Sequence, residues 1–165
     1  MGIVIRNGEV VTASERFVAD LRLDGGTITA MGTKLEPKAG DETIDAAGQF
    51  VLPGFIDPHV HMELGFMGTV SADDFEVGTA SGAAGGTTCI IDFCIPAPGE
   101  SMLAALDSWR RKAAKAVCDY SFHMAITSWG DDSADEMRAV VQEHGVESPR
   151  RARKCRIAGA GRQPE

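Results

Sequence analysis

No apolar run in these 165 residues approaches the roughly 18–20 that a bilayer crossing needs. The start, Met1-Gly2-Ile3-Val4-Ile5-Arg6, has no basic segment ahead of a long apolar core, so no signal peptide is expected and the cytoplasm is the expected compartment. The four cysteines (Cys89, Cys94, Cys118, Cys155) show no C-x-x-C spacing. They are expected as reduced core thiols rather than as a disulfide frame or a zinc knuckle. Neither G-x-G-x-x-G nor a Walker A sequence is present, which removes the main support for a nucleotide fold. Positive charge is also scarce before residue 147. Of the 16 Lys and Arg, six lie in residues 147–165, which hold only two of the 24 Asp and Glu. The body is therefore acidic, and an acidic body argues against a nucleic-acid surface.

What is present suits a soluble globular chain of one domain or a domain plus a small lobe, with 44 % hydrophobic and 24 % charged residues. In the first fifty residues, Ile3-Val4-Ile5 and Val10-Val11 flank Asn7-Gly8, which predicts a type I′ hairpin. Phe17 to Leu23 alternates with period two, and Asp24-Gly25-Gly26 turns it into Thr27-Ile28-Thr29-Ala30-Met31. Thr43-Ile44 and Phe50-Val51-Leu52 follow. The pattern is that of a small all-β unit, with its Arg and Asp residues expected on a solvated face.

From residue 51 the rhythm changes. Strand-like 50–61 leads through a loop at Met62–Val70 into a helix capped by Ser71, rich in small residues and ended by Gly85-Gly86. The near-continuous apolar run Thr87–Ile95 predicts a strand buried on both faces. Met102, Leu106, Trp109, Ala113 and Ala116 recur at helical spacing, with Arg110, Arg111, Lys112 and Lys115 on the solvated side. A third strand at Tyr120–Thr127 and a helix opened by Ser133 and Glu136 complete the order β-α-β-α-β-α. Such an order means a parallel sheet with right-handed crossovers, either open or part of a (β/α)8 barrel. His123 is read as a hydrogen-bonded core histidine with a ligand role as the alternative, and His144 as structural.

Chemistry concentrates in Gly54-Phe55-Ile56-Asp57-Pro58-His59-Val60-His61. Two histidines two residues apart on an extended segment project to one side and can share a zinc-type ion. They stand at the C-terminal end of the first strand, where a barrel enzyme places its chemistry. Asp57 is expected to orient the loop backbone or a histidine rather than to bind metal.

This stretch resembles the first-strand metal motif of the amidohydrolase superfamily. With Gly68-Thr69-Val70-Ser71-Ala72-Asp73-Asp74-Phe75, Gly85-Gly86-Thr87-Thr88 and Ile91-Asp92-Phe93, the resemblance is to its dihydropyrimidinase/D-hydantoinase branch, over residues 1–146. It implies an α/β fold class: the first three β/α units of a (β/α)8 TIM-like barrel at 51–146, preceded at 1–50 by half of a β-sandwich. It implies a hydrolase that opens the ring of dihydropyrimidines or 5-substituted hydantoins with zinc-activated hydroxide, two zinc ions per site, and a cytoplasmic homotetramer. The expected partner is a small cyclic ureide or imide, with no nucleic acid and no membrane. His59 and His61 would bind one metal, and no residue of this chain is assigned as catalytic. The loop with Met62, Leu64 and Phe66 resembles the hydrophobic gate over the substrate's exocyclic group, with ordinary loop packing as the alternative. Met62, Glu63 and Leu64 stand where dihydroorotases carry an arginine for a substrate carboxylate, which suits a neutral ureide. The alternatives are a non-catalytic interaction protein on the same scaffold, or another amidohydrolase such as an allantoinase or dihydroorotase.

After Val146 the resemblance stops. The run Glu147-Ser148-Pro149-Arg150-Arg151-Ala152-Arg153-Lys154 has no strand alternation where the family enters its fourth strand with a metal-bridging lysine. The basic stretch 147–165 is expected to be frameshift-derived or disordered, and the truncated chain to be inactive by itself and to expose an unpaired sheet edge.

Overall fold

The chain forms two units, Met1–Pro53 and a second beginning at Gly54. The computed structural model describes residues 2–66 and 68–146, of Phe66 the backbone only, so the expectation for 147–165 lies outside the described residues.

In the first unit, β1 (Ile3–Val11), β2 (Arg16–Asp24), β3 (Thr27–Gly32) and β4 (Glu42–Asp45) make a sheet of order β3-β2-β1-β4, and β5 (Phe50–Val51) also pairs with β1. The hairpin expected at Asn7-Gly8 is absent. β1 runs straight through as one strand, and the register to β2 slips between Ile5 and Gly8. A type I′ turn needs positive φ at both central residues, and of this pair only Asn7 has it (φ 61). The left-handed residue makes a bulge instead. Asn7 N–H donates to Asp20 Oδ1 at 2.8 Å, and its amide Nδ2 donates to Asp45 Oδ1 at 2.9 Å. Gly8 is needed for room, since a Cβ there would stand 2.5 Å from Val51 Cγ2. The reversal between β1 and β2 is made at Thr12, whose Oγ1 accepts from Ser14 and Glu15 N–H.

The expected solvated face is also corrected. Asp20 and Arg22 are buried. Arg22 pairs with Asp41 and donates to the Glu36 carbonyl at 2.6 Å. Asp41 further accepts from Gly2 N–H at 3.0 Å and Lys38 N–H at 2.8 Å. These charges tie the 33–41 connection to β2, where period two alone suggested water.

In the second unit, β6 (Phe55–Val60), β7 (Gly65–Phe66) and β8 (Thr69–Val70) precede α1 (Phe75–Ala84), β9 (Thr87–Cys94), α2 (Met102–Ala113), β10 (Asp119–Met124) and α3 (Ser133–Gln142). The order β10-β9-β6 is parallel throughout. β9 lies in the middle, which is why its run Cys89–Asp92 is buried. The core gathers Phe75, Ile90, Leu106, Trp109, Phe122, Met124 and Val140. Cys89 and Cys94 are buried thiols, with burial first in pushing Cys94 far above the ordinary thiol range; Cys118 is only half-buried.

The helix caps differ from expectation at two places. Asp74, not Ser71, caps α1, accepting from Val77 N–H at 2.8 Å, while Ser71 Oγ accepts from Leu64 N–H at 2.8 Å. Glu136 does not reach back within α3. Its Oε2 accepts from Met102 N–H at 2.9 Å, joining Ser101 Oγ, which accepts from Ala104 N–H at 3.1 Å, at the start of α2. An orphan amide on a neighbouring helix competes for the same carboxylate, and local spacing cannot show that. The small residues of α1 allow close approach: a Cβ at Gly78 would lie 2.5 Å from Met62 Sδ of the loop, and one at Gly82 would lie 3.6 Å from Thr87 of β9.

Candidate metal centre

The β6 ladder decides where the histidines point. Asp57 pairs with Ile90 of β9 and Val60 with Asp92, so three steps on β6 match two on β9. The additional residue falls at Pro58-His59. Proline has no N–H for the ladder, and the Asp57 carboxylate accepts the His59 N–H at 3.1 Å instead. Asp57 thus orients the backbone of a histidine. Alternation without the slip would turn His59 to the face of Ile90 and Asp92, which packs toward α2. With it, His59 and His61 flank Val60 and turn to the other face, beside Phe93.

There the two exposed rings meet nearly at right angles, centroids 5.1 Å apart. Phe93 lies beside both, at 4.6 Å from His59 and 5.4 Å from His61. His123, opposite Phe93 on β10, is 4.8 Å beyond it. Neighbouring imidazoles with accessible nitrogens fit part of a zinc-type ligand set. Among the described residues no third His, Cys, Asp or Glu joins them in a group of metal-binding size. His123 is brought to the same aromatic row but not into such a group.

The turn after His61 is fixed from below. Met62 N–H donates to Asp92 Oδ2 at 2.7 Å, and the indole N–H of Trp109 donates to Asp92 Oδ1 at 3.3 Å. Burial pushes the Asp92 carboxyl up from the ordinary range, against the pull of the Met62, Trp109 and Phe93 N–H groups. Glu63 sits in the left-handed region (φ 49). Its carbonyl accepts from Lys112 Nζ at 3.1 Å, and its carboxylate pairs with Lys115 at 2.6 Å. Lys115 also pairs with Asp74 at 2.8 Å; these bonds, Asp74 first, raise the lysine pKa, while Lys115 is first in lowering that of Asp74. Lys112 and Lys115, expected on a solvated side, therefore strap the site loop to α2 and the start of α1.

Met62 and Leu64 are half-buried against the core of this unit, Met62 beside Gly78. The side chain of Phe66 lies outside the described residues. A separate cavity of about 250 Å³ opens between the starts of α2 and α3, lined by Glu100, Ser101, Thr127, Asp132 and Glu136, and neither His59 nor His61 lines it. Sequence reasoning missed Asp92 as a site residue. Its one signal was a lone carboxylate inside an apolar strand run.

Fold and site define an α/β protein with a histidine pair at a parallel-strand end as its candidate metal centre. No family model matches the chain. It is 48 % identical over 147 residues to a dihydropyrimidinase of Dictyostelium discoideum, covering 88 % of this chain and 29 % of that protein. A D-hydantoinase of Geobacillus stearothermophilus is 47 % identical over 146 residues, covering 88 % and 31 %. Among solved structures, a crystal structure of D-hydantoinase superposes with a TM-score of 0.85 at 46 % identity, over 88 % of this chain and 32 % of that one. In that matched part the chain is similar to dihydropyrimidinases and D-hydantoinases. It spans less than a third of the length of these relatives.

Proposed function

We propose that this chain carries the first metal-binding segment of a cyclic amidohydrolase that opens dihydropyrimidine or 5-substituted hydantoin rings. The observation that carries the reading is the convergence of the His59 and His61 rings at the end of β6, within a stretch 46–48 % identical to proteins of those names. The three β/α units are read as part of a (β/α)8 barrel, and the first unit as half of a β-sandwich. His59 and His61 are read as ligands of one of two zinc ions. Zinc held there would supply Lewis-acid chemistry, polarising a ring carbonyl and acidifying water. The chain's own contribution is orientation: Asp57 and the Pro58 bulge aim the imidazoles, and the straps from Lys112 and Lys115 fix the loop beside them. Met62, Leu64 and Phe66 are read as the loop bordering the substrate's exocyclic group, Met62 and Leu64 by anchoring it to the core. A cytoplasmic homotetramer acting on a small cyclic ureide, with no nucleic acid or membrane partner, completes the reading.

A second reading is a non-catalytic interaction protein on the same scaffold. It is favoured by the lack of a third ligand near the pair among the described residues. The retained and converging histidines favour the enzyme lineage.

The test is zinc content after dialysis of the 165-residue chain against its His59→Ala and His61→Ala variants. Zinc retained by the parent and lost from each variant is expected, together with no measurable ring opening of dihydrouracil by the chain alone. Equal zinc in all three chains overturns the ligand assignment. Ring opening by the chain alone overturns the view that it holds only part of the site.

A further inference from the structure

We propose that Asp92 is the positioning residue of the histidine pair: its buried carboxylate sets the turn after His61 and thereby holds both imidazoles in ligating attitude. The inference rests on the metal-pair reading above. Asp92 is only 1 % exposed and occupies the central strand, in a core built mostly of apolar side chains. A carboxylate is costly to bury unless donors surround it, so packing alone would favour an apolar residue there. Its two oxygens are committed to different elements. Oδ2 takes the Met62 N–H at 2.7 Å, the peptide group directly following His61, and Oδ1 takes the Trp109 indole at 3.3 Å.

Trp109 is itself fixed, buried in α2 with the Lys112 ammonium 4.4 Å above its ring. That same ammonium holds the Glu63 carbonyl at 3.1 Å. The His61–Met62 and Glu63–Leu64 peptide groups are thus referred to α2, the first through Asp92 and Trp109, the second through Lys112. At the opposite end of the pair, Asp57 holds His59 N–H at 3.1 Å. The segment His59-Val60-His61 is therefore held between two carboxylates; the Val60 side chain packs against the core, and Asp92 is the polar tie between the end of the segment and that core. Release of the Met62 amide would let the His61–Met62 peptide rotate and swing His61 away from His59, with the strand below unchanged.

Cobalt(II) titration of the full chain, read by its visible absorption, tests this alongside amide exchange at Met62 followed by NMR. Asp92→Ala is expected to weaken cobalt binding by about tenfold or more, as loss of a partner supporting a metal ligand commonly does, and to speed Met62 exchange. Asp92→Asn keeps one acceptor but turns an amide N–H₂ toward a donor, so it too is expected to weaken binding. Combining it with Trp109→Phe removes the opposing indole donor and is expected to restore affinity to within about threefold of the parent, together with slow Met62 exchange. General destabilisation would make the double variant worse, not better. A folded Asp92→Asn chain that binds cobalt as the parent does overturns the proposal, as does a double variant no better than Asp92→Asn. If Asp92→Ala does not fold, the Asn pair decides alone. A parent chain that binds no cobalt defeats the metal-pair reading instead, and unchanged Met62 exchange in Asp92→Asn would then defeat the positioning role separately.

Discussion

Asp41 collects two backbone N–H groups and the Arg22 guanidinium in the first unit, with the Lys38 N–H the largest influence, and these hold its carboxyl at about 2. An unfolded aspartate titrates near 3.9. Because the folded value is the lower one, the stabilisation is fully present above the unfolded value. It is lost as pH falls from about 5 through about 2. Thermal melts of the chain between those pH values are expected to show a falling midpoint, with a smaller slope in Asp41→Asn. An identical slope in the two chains would mean that other carboxylates carry the acid sensitivity. The same residues show why this part of the sequence misled. Asp20, Arg22 and Asp41 read as solvated charges because period two reports only which face a residue occupies. Asp20 is held by Asn7 of β1 and Leu35 of the 33–41 connection, and Arg22 by Glu36 and Asp41 of that connection, the latter at a separation of 19 residues. Asp92 escaped for the same reason, since its partners Met62 and Trp109 come from a loop and a helix on either side of its strand.

At the scale of elements, apolar spacing located α2 and α3, turn and cap residues located α1, and the alternation of strands and helices gave the parallel order of the second unit, because these depend on local spacing and burial. Ends and bends were less legible. The Asn7-Gly8 pair has the composition of a hairpin, but the sheet uses it as a bulge because Gly8 must approach Val51. The β6 bulge at Pro58 was likewise hidden, although it sets the direction of both histidines. At the start of α2 two caps act in parallel, Ser101 on Ala104 and Glu136 of α3 on Met102. Ser101→Ala removes only the first, and the cost expected from chemical denaturation is about 1 kcal/mol. The loss is expected to fall on α2 and to leave the first unit's exchange protection unchanged. A cost within experimental error would show that Glu136 alone satisfies the helix start.

For the molecule as a whole, the second unit has a sheet whose two outer strands each pair only with β9 among the described residues. Phe55 and Ile56 on β6 are 53 % and 42 % exposed, and edges with apolar neighbours invite pairing with a second chain. The two edges are unequal. β6 carries Pro58 and a bulge, both of which interrupt a ladder. β10 runs in unbroken register with β9 from Asp119 to Met124 and contains no proline. Self-association is therefore expected chiefly through β10. At tens of micromolar the chain is expected to elute above its 17.5 kDa monomer mass, with a concentration dependence. Ser121→Lys, which puts a charge at an exposed position of β10, is expected to shift it toward monomer more than Ile56→Lys on β6. The opposite ranking would place the sticky edge at β6 and make the apolar pair Phe55-Ile56, rather than ladder continuity, the cause. A concentration-independent monomer would show that neither open edge recruits a partner copy.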